Sequence, residues 1–221
     1  NSSSSSTSTE AGTAKTKYAS EVTHEGTPIK GGTLKYAIVS SSPFSGIFAD
    51  ELSQVTTDST IGGLIDESMF EYDENRKLTN TGLASIEFDV ENKTATVTLN
   101  SKEYKWSDGQ PVTIDDYIFA YQAIGNKDYT GVRYDGDFKN VVGMEEYHNG
   151  KADSVSGLEK VDDYTVKIHF KEMSPSMQLA GGSVSAYIMP KHIFKDIPEA
   201  EWEQSDYVRG KKFVGLGQFK I

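Results

Sequence analysis

Leu34, Tyr36 and Ile38 alternate with Thr33, Lys35 and Ala37, the period of two that a strand shows when one face is covered, so the first strand of a core is expected over 33–39. A polar loop with Pro43 and Gly46 follows. A short helical stretch is expected at 61–67, leading into an apolar step at Met69 and Phe70. Ile86, Phe88 and Val90 alternate, Glu91-Asn92 supplies a turn, and Ala95, Val97 and Leu99 alternate again, which reads as a β-hairpin. A second hairpin is expected at 158–161 and 164–170 around Asp162-Asp163, with Val166, Ile168 and Phe170 on one face.

Each hairpin is apolar on one side only and needs a cover. The segment between them supplies one: Ile114, Tyr117, Ile118 and Tyr121 fall at i, i+3, i+4 and i+7, Thr113 and Asp116 are spaced as a capping box, and Gly125 is a stop. A further helix is expected over 141–147, a brief strand over 186–189, and a terminal strand over 213–221. Strands, hairpins and helices mixed in this way, without internal repeats, indicate a mixed α/β or α+β body.

Residues 1–9 are almost entirely Ser and Thr, with nothing to bury, and the polar character persists to about Lys30. Three acids (Glu10, Glu21, Glu25) cancel three bases (Lys15, Lys17, Lys30) there, so the net charge of −11 resides in 31–221. A flexible coil of that length spans roughly 30 Å, enough to hold a domain clear of a surface. It reads as a disordered tether or as a frayed terminus. The acidic balance argues against a nucleic-acid partner, which needs clustered Lys and Arg. The absence of cysteine from the sequence removes disulfides, thiolate metal sites and cysteine nucleophiles. No stretch approaches the ~20 apolar residues of a membrane span, and no export signal is recognisable at the start.

One run is distinctive: Trp106-Ser107-Asp108-Gly109-Gln110-Pro111-Val112-Thr113-Ile114-Asp115-Asp116, a strand end, a tight Asp-Gly turn, a strand-stopping Pro and a capped helix. It resembles the signature of the extracellular solute-binding proteins of the peptide/nickel class (family 5) that serve ABC importers. Glu67-Ser68-Met69-Phe70, Gly150-Lys151-Ala152 and Val214-Gly215-Leu216-Gly217-Gln218-Phe219 resemble further segments of that family, with departures at Leu216 and Gln218, where Thr and Pro are usual. The Ser-rich start and the Gly31 to Ala37 opening look more like Gram-positive oligopeptide-binding lipoproteins than periplasmic ones.

The resemblance implies a type II periplasmic-binding-protein-like lobe with a small accessory hairpin-and-helix domain. First-lobe segments would lie at 31–60 and 171–221, the accessory domain at 61–170, and the second lobe in sequence beyond Ile221, leaving the fold incomplete. It also implies a monomeric, non-enzymatic binding component without a cofactor, held outside the cell membrane as a lipoprotein. Such a component captures extended oligopeptides between lobes by main-chain hydrogen bonds and delivers them to ABC permease subunits. Placing the family's ligand-lining segments on this chain nominates Glu51, Gln54, Thr56, Tyr134, Ser183, Val184, Ser185 and Gly217, while Trp106 is expected to be structural. Solvated loop for the first three, partial core for Tyr134 and close packing for the small residues remain the bland alternatives.

Competing chemistries find less support. His24, His148, His169 and His192 are scattered, so a nickel site lacks its ligands, and Asp135-Gly136-Asp137 has neither the alternation nor the terminal Glu of a calcium loop. Ser107-Asp108 lacks a histidine base nearby in sequence, and Asp115-Asp116 point about 100° apart on a helix, unlike a glycosidase pair. A peptide-pheromone receptor of the same family is the nearest alternative, ahead of a sugar binder or a hydrolase.

Overall fold

A computed structural model describes residues 26–27, 30–179 and 184–221. The chain divides into two compact units, 1–39 and 40–221.

In the first unit, residues 31–39 adopt no strand, and Leu34, Tyr36 and Val39 are exposed. The expectation of a first core strand there is corrected: alternation makes a segment competent to be a strand, and only a hydrogen-bonded neighbour makes it one.

The second unit is built on helix α1 (Thr56–Ile65), the hairpin β1 (Ala84–Asp89) and β2 (Thr94–Leu99), helix α2 (Ile114–Gly125), the short helices α3 (Gly136–Lys139) and α4 (Met144–His148), and the hairpin β3 (Leu158–Asp162) and β4 (Thr165–His169). Three one-turn helices follow: α5 (Lys191–Phe194), α6 (Glu199–Trp202) and α7 (Asp206–Arg209). The two hairpins join as one antiparallel sheet in the order β1-β2-β4-β3. Its register aligns Ile86, Val97 and Val166 in one row and Phe88, Ala95, Ile168 and Leu158 in the next. These rows form the apolar face, while Glu87, Thr96, Lys167 and Glu159 make a polar row on the other.

The apolar face is covered by α2, whose Ile114, Tyr117, Tyr121 and Ile124 are buried in the same cluster as Ile86, Val97 and Ile168. The helix starts where expected: Thr113 is extended, and its backbone N–H donates to the Asp116 carboxylate at 3.0 Å. The Asp-Gly turn is equally well defined. Gly109 sits at φ 90°, a left-handed conformation that favours glycine, and its N–H donates to the Trp106 carbonyl at 2.8 Å. Trp106 lies buried under α2 with its indole N–H donating to Asp116 Oδ2 at 3.1 Å, so its structural assignment holds.

A second, smaller cluster gathers Ile47, Leu52, Met189, Phe194, Trp202 and Val208 against Ala120 and Ala123 of α2. α2 is thus buried on two sides, with Ile114, Tyr117, Tyr121 and Ile124 toward the sheet and Ala120 and Ala123, flanked by Phe119, toward the loops and short helices.

Two further expectations are corrected. Residues 186–189 form no strand, because their two backbone bonds, from the Met69 N–H to the Ala186 carbonyl at 2.9 Å and from the Met189 N–H to the Asp116 carbonyl at 3.3 Å, go to different elements and do not make a ladder. Residues 213–221 form no terminal strand either; they run as a strap along the end of α1, donating from Gly217 to the Ile65 carbonyl at 3.0 Å and from Phe219 to the Leu64 carbonyl at 3.1 Å. Asp135-Gly136-Asp137 is the start of α3, with the Asp135 carboxylate accepting from the N–H groups of Asp137 and Phe138.

Candidate functional site

The segment 184–190 passes between α2 and the end of α1, and α2 fixes it. The Tyr117 hydroxyl donates to the Ser185 carbonyl at 2.6 Å, and the Ser185 N–H donates to the Tyr121 hydroxyl at 2.9 Å. Just beyond, the Met189 N–H reaches the Asp116 carbonyl at 3.3 Å and the Lys191 N–H reaches Asp116 Oδ1 at 3.0 Å. Both tyrosines are fully buried, which raises their pKa and keeps them neutral donors and acceptors.

Held in this way, Ala186 and Tyr187 form the shared rim of two adjoining clefts. The first, of about 240 Å³, lies toward α1 and is lined by Asp50, Glu51, Asp66 and Glu67 together with Ser59 and Ile188. The second, of about 360 Å³, lies toward α3 and is lined by Tyr72, Tyr121, Arg133, Phe138, Val184 and Ser185. Ala186 and Tyr187 are half-buried, and among the described residues the N–H of Ala186 and the carbonyl of Tyr187 have no hydrogen-bond partner. The Ala186 carbonyl is taken by the Met69 N–H at 2.9 Å and the Tyr187 N–H donates to Ser185 Oγ at 3.3 Å, so one donor and one acceptor of this stretch are left, between a polar cleft and a mixed one, for a main chain from outside.

The first cleft is electrostatically unusual. Burial pushes Glu51 well above the ordinary carboxylate range, with the neighbouring Asp66 adding to the effect. Burial also raises Asp66 to about 7, although the N–H groups of Glu67 and Leu216 donate to its carboxylate at 3.0 and 3.1 Å. Arg133 stands at the boundary of the two clefts: its Nη2 lies 3.5 Å from Asp50 Oδ1 and donates to the carbonyls of Asp50 and Ser53 at 3.2 and 3.3 Å. Its guanidinium also stacks over the Tyr187 ring, 5.6 Å from the centroid.

Of the residues nominated from the sequence, Glu51 lines the first cleft and Val184 and Ser185 the second. Gln54 and Thr56 are exposed at the start of α1 and line neither cleft. Tyr134 is packed face to face on His148, with ring centroids 4.0 Å apart, and lines neither. Gly217 belongs to the strap on α1, where a Cβ would come within 2.3 Å of the Ile65 backbone, so its smallness serves packing. Ser183 lies outside the described residues. Asp66, Ala186, Tyr187 and Arg133 were not singled out. Asp66 directly precedes the Glu67 to Phe70 step and Arg133 precedes Tyr134, so position was readable there, whereas the convergence of both on one rim is purely tertiary.

Among the described residues no group of three or more His, Cys, Asp or Glu side chains is placed to hold a metal ion, and no helix is long and apolar enough to cross a membrane.

The model of the bacterial extracellular solute-binding proteins, family 5 (middle region), matches residues 80–221, and the chain belongs to this family. The oligopeptide-binding protein OppA of Lactococcus lactis subsp. lactis is 36% identical over 187 residues, covering 82% of this chain and 31% of that protein. The chain thus spans about a third of that relative's length. The structure of lactococcal OppA complexed with an endogenous peptide in the closed conformation is similar with a TM-score of 0.75 at 34% identity, over 82% of this chain and 34% of that one. That of AppA from Bacillus subtilis in complex with a nonapeptide is similar with a TM-score of 0.62 at 27% identity, over 79% of this chain and 31% of that one. The mixed α/β fold expected from the sequence is therefore that of family 5 solute-binding proteins. Membership places the chain in a family of extracellular binding proteins rather than enzymes.

Proposed function

We propose that this chain forms one wall of a peptide-binding cleft in the substrate-binding component of an ABC oligopeptide importer. An extended peptide lies along Ala186 and Tyr187, pairing its main chain with the free N–H of Ala186 and the free carbonyl of Tyr187. Its side chains enter the cleft at Glu51 on one side and at Val184 and Ser185 on the other. The observation that carries this reading is that, among the described residues, the Ala186 N–H and the Tyr187 carbonyl on the shared rim of the two clefts have no partner. Main-chain pairing is indifferent to side-chain identity, so it gives breadth, and the clefts add preference. The peptide complexes of the lactococcal and Bacillus relatives support the ligand class.

In this reading the segments 31–60 and 171–221 belong to one lobe and 61–170 to an accessory domain. Residues 1–30 tether the protein, as a lipoprotein, to the outer face of the membrane, where it hands peptides to permease subunits as a monomer. No bond in the peptide is made or broken.

The test is a residue-resolved NMR titration of the 221-residue chain with unrelated tetra- to octapeptides. Both clefts are open, and at about 240 and 360 Å³ they lie below and at the low end of the ~300–1,000 Å³ of a complete ligand site, so binding is expected to be weak, with dissociation constants of roughly 0.1–1 mM. The Ala186 amide should shift with every peptide. Peptides that leave Ala186 and its neighbours unmoved at millimolar concentration would remove the proposal, and so would turnover of the peptide.

A further inference from the structure

A further cavity, of about 180 Å³, shares no lining residue with either cleft. Four aromatic side chains line it: Phe119 of α2, Tyr147 of α4, Phe194 of α5 and Trp202 of α6. The rings brace one another. Trp202 packs on Phe119 and Phe194 with centroids 5.8 and 5.1 Å apart, and its indole N–H donates to the Ile197 carbonyl at 2.8 Å. One acid, Glu199, is set into this wall, and its Oε1 is buried without a hydrogen-bond partner among the described residues. Among the same residues Glu199 makes no ion pair. Lys195 lines the cavity too but is exposed, and the charge that acts on Glu199 is the negative one of Asp128.

A carboxyl group placed here loses hydration that no neighbouring side chain replaces, while aromatic rings attract a cation that gives up its own water easily. The volume limits the candidates: it falls below the ~300–1,000 Å³ of a drug-sized ligand site and suits a compact head group. Because Oε1 is closed off, Glu199 offers charge more than hydrogen-bond acceptors, which favours a cation that donates no hydrogen bond. We propose that the cavity between α2 and α6 binds a small quaternary ammonium ion, its methyl groups against the four rings and Glu199 as its counter-ion. The site is separate from the peptide-holding role above and does not depend on it. Burial raises Glu199 to about 8, so its negative charge grows in as the pH rises through that value. The other charged or titratable groups around it are Asp128 after α2, Lys195 at the end of α5, and Tyr147 of α4, whose hydroxyl burial keeps neutral.

The experiment is an NMR titration of the 221-residue chain, read from the aromatic C–H signals of Trp202, with choline and with 3,3-dimethylbutan-1-ol, which has the shape of choline without its charge. At pH 8.5 choline should bind with a dissociation constant of roughly 1 mM and about 10-fold or more tightly than the neutral alcohol. Between pH 8.5 and 6.5 it should weaken roughly 20-fold as Glu199 takes up its proton, while the alcohol holds its affinity. E199Q should bring choline down to the affinity of the alcohol at both pH values, and F119L should weaken it several-fold while leaving the pH dependence in place. Choline that leaves the Trp202 signals unmoved at about 50 mM overturns the site. Equal affinity for choline and the alcohol, or choline binding that ignores pH, overturns the counter-ion. Undiminished choline binding in E199Q, with an amide spectrum showing an intact fold, does the same.

Discussion

Two acidic side chains show how strongly a protein interior can favour the neutral form of a carboxyl group. Glu51 faces the first cleft, whereas Glu199, at the start of α6, lines the cavity beside Trp202. Burial, reinforced by Asp128, lifts Glu199 to about 8, and its Oε1 is buried without a hydrogen-bond partner among the described residues. Because the folded state holds this proton more tightly than the unfolded chain, Glu199 contributes stability that is complete below about pH 4.5 and is lost as the pH rises through 8. E199Q is therefore expected to stabilise the fold by about 1–3 kcal/mol at pH 8.5 and to change little at pH 4. Denaturant melts at the two pH values decide it, and an equal effect at both would refute the argument. Nothing in the sequence around Pro198-Glu199-Ala200 announces this carboxyl group, since its surroundings are supplied by Phe119, Gln122 and Ala123 of α2 and Phe194 of α5. Asp116 is the opposite case. Its spacing from Thr113 was readable as a cap, and the structure adds Trp106 and Lys191 to the same carboxylate.

Among the elements, those with local signals were legible. Both hairpins and α2 follow from period, turn and cap, because each supplies its own hydrogen-bonding partner or carries its boundary signals in sequence. The segments 33–39, 186–189 and 213–221 also read as strands, and none is one. Extended, alternating sequence specifies a conformation, and pairing specifies the element. The strap at 213–221 illustrates what took the place of a ladder. Gly215 and Gly217 lie so close to Ile65 that a Cβ on either would approach its backbone to 2.2 and 2.3 Å. Neither contact involves a flexible side-chain end of Ile65, so G217A cannot be absorbed by a rotamer change. It is expected to lower stability by about 1–3 kcal/mol, read from the urea midpoint, and to shift the amide signals of Leu64 to Glu67. A variant with unchanged midpoint and unchanged signals would show that the strap does not bear on α1.

For the molecule as a whole, the family and the sheet with its covering helix were within reach of the sequence, whereas the rim formed by Ala186 and Tyr187 was not. The two apolar clusters of the second unit would ordinarily invite independent melting, one nucleus surviving the other. α2 forbids it, because Tyr117, Tyr121 and Ile124 belong to one nucleus and Ala120 and Ala123 to the other, all within three turns of the same rod. Unravelling either side exposes the helix that the other requires. Residues 40–221 should accordingly absorb heat in a single transition, with the calorimetric enthalpy matching the van't Hoff value, and two resolved peaks would contradict this. A fold of this kind keeps its shape or loses it entire: thermal damage to one flank cannot leave the other standing.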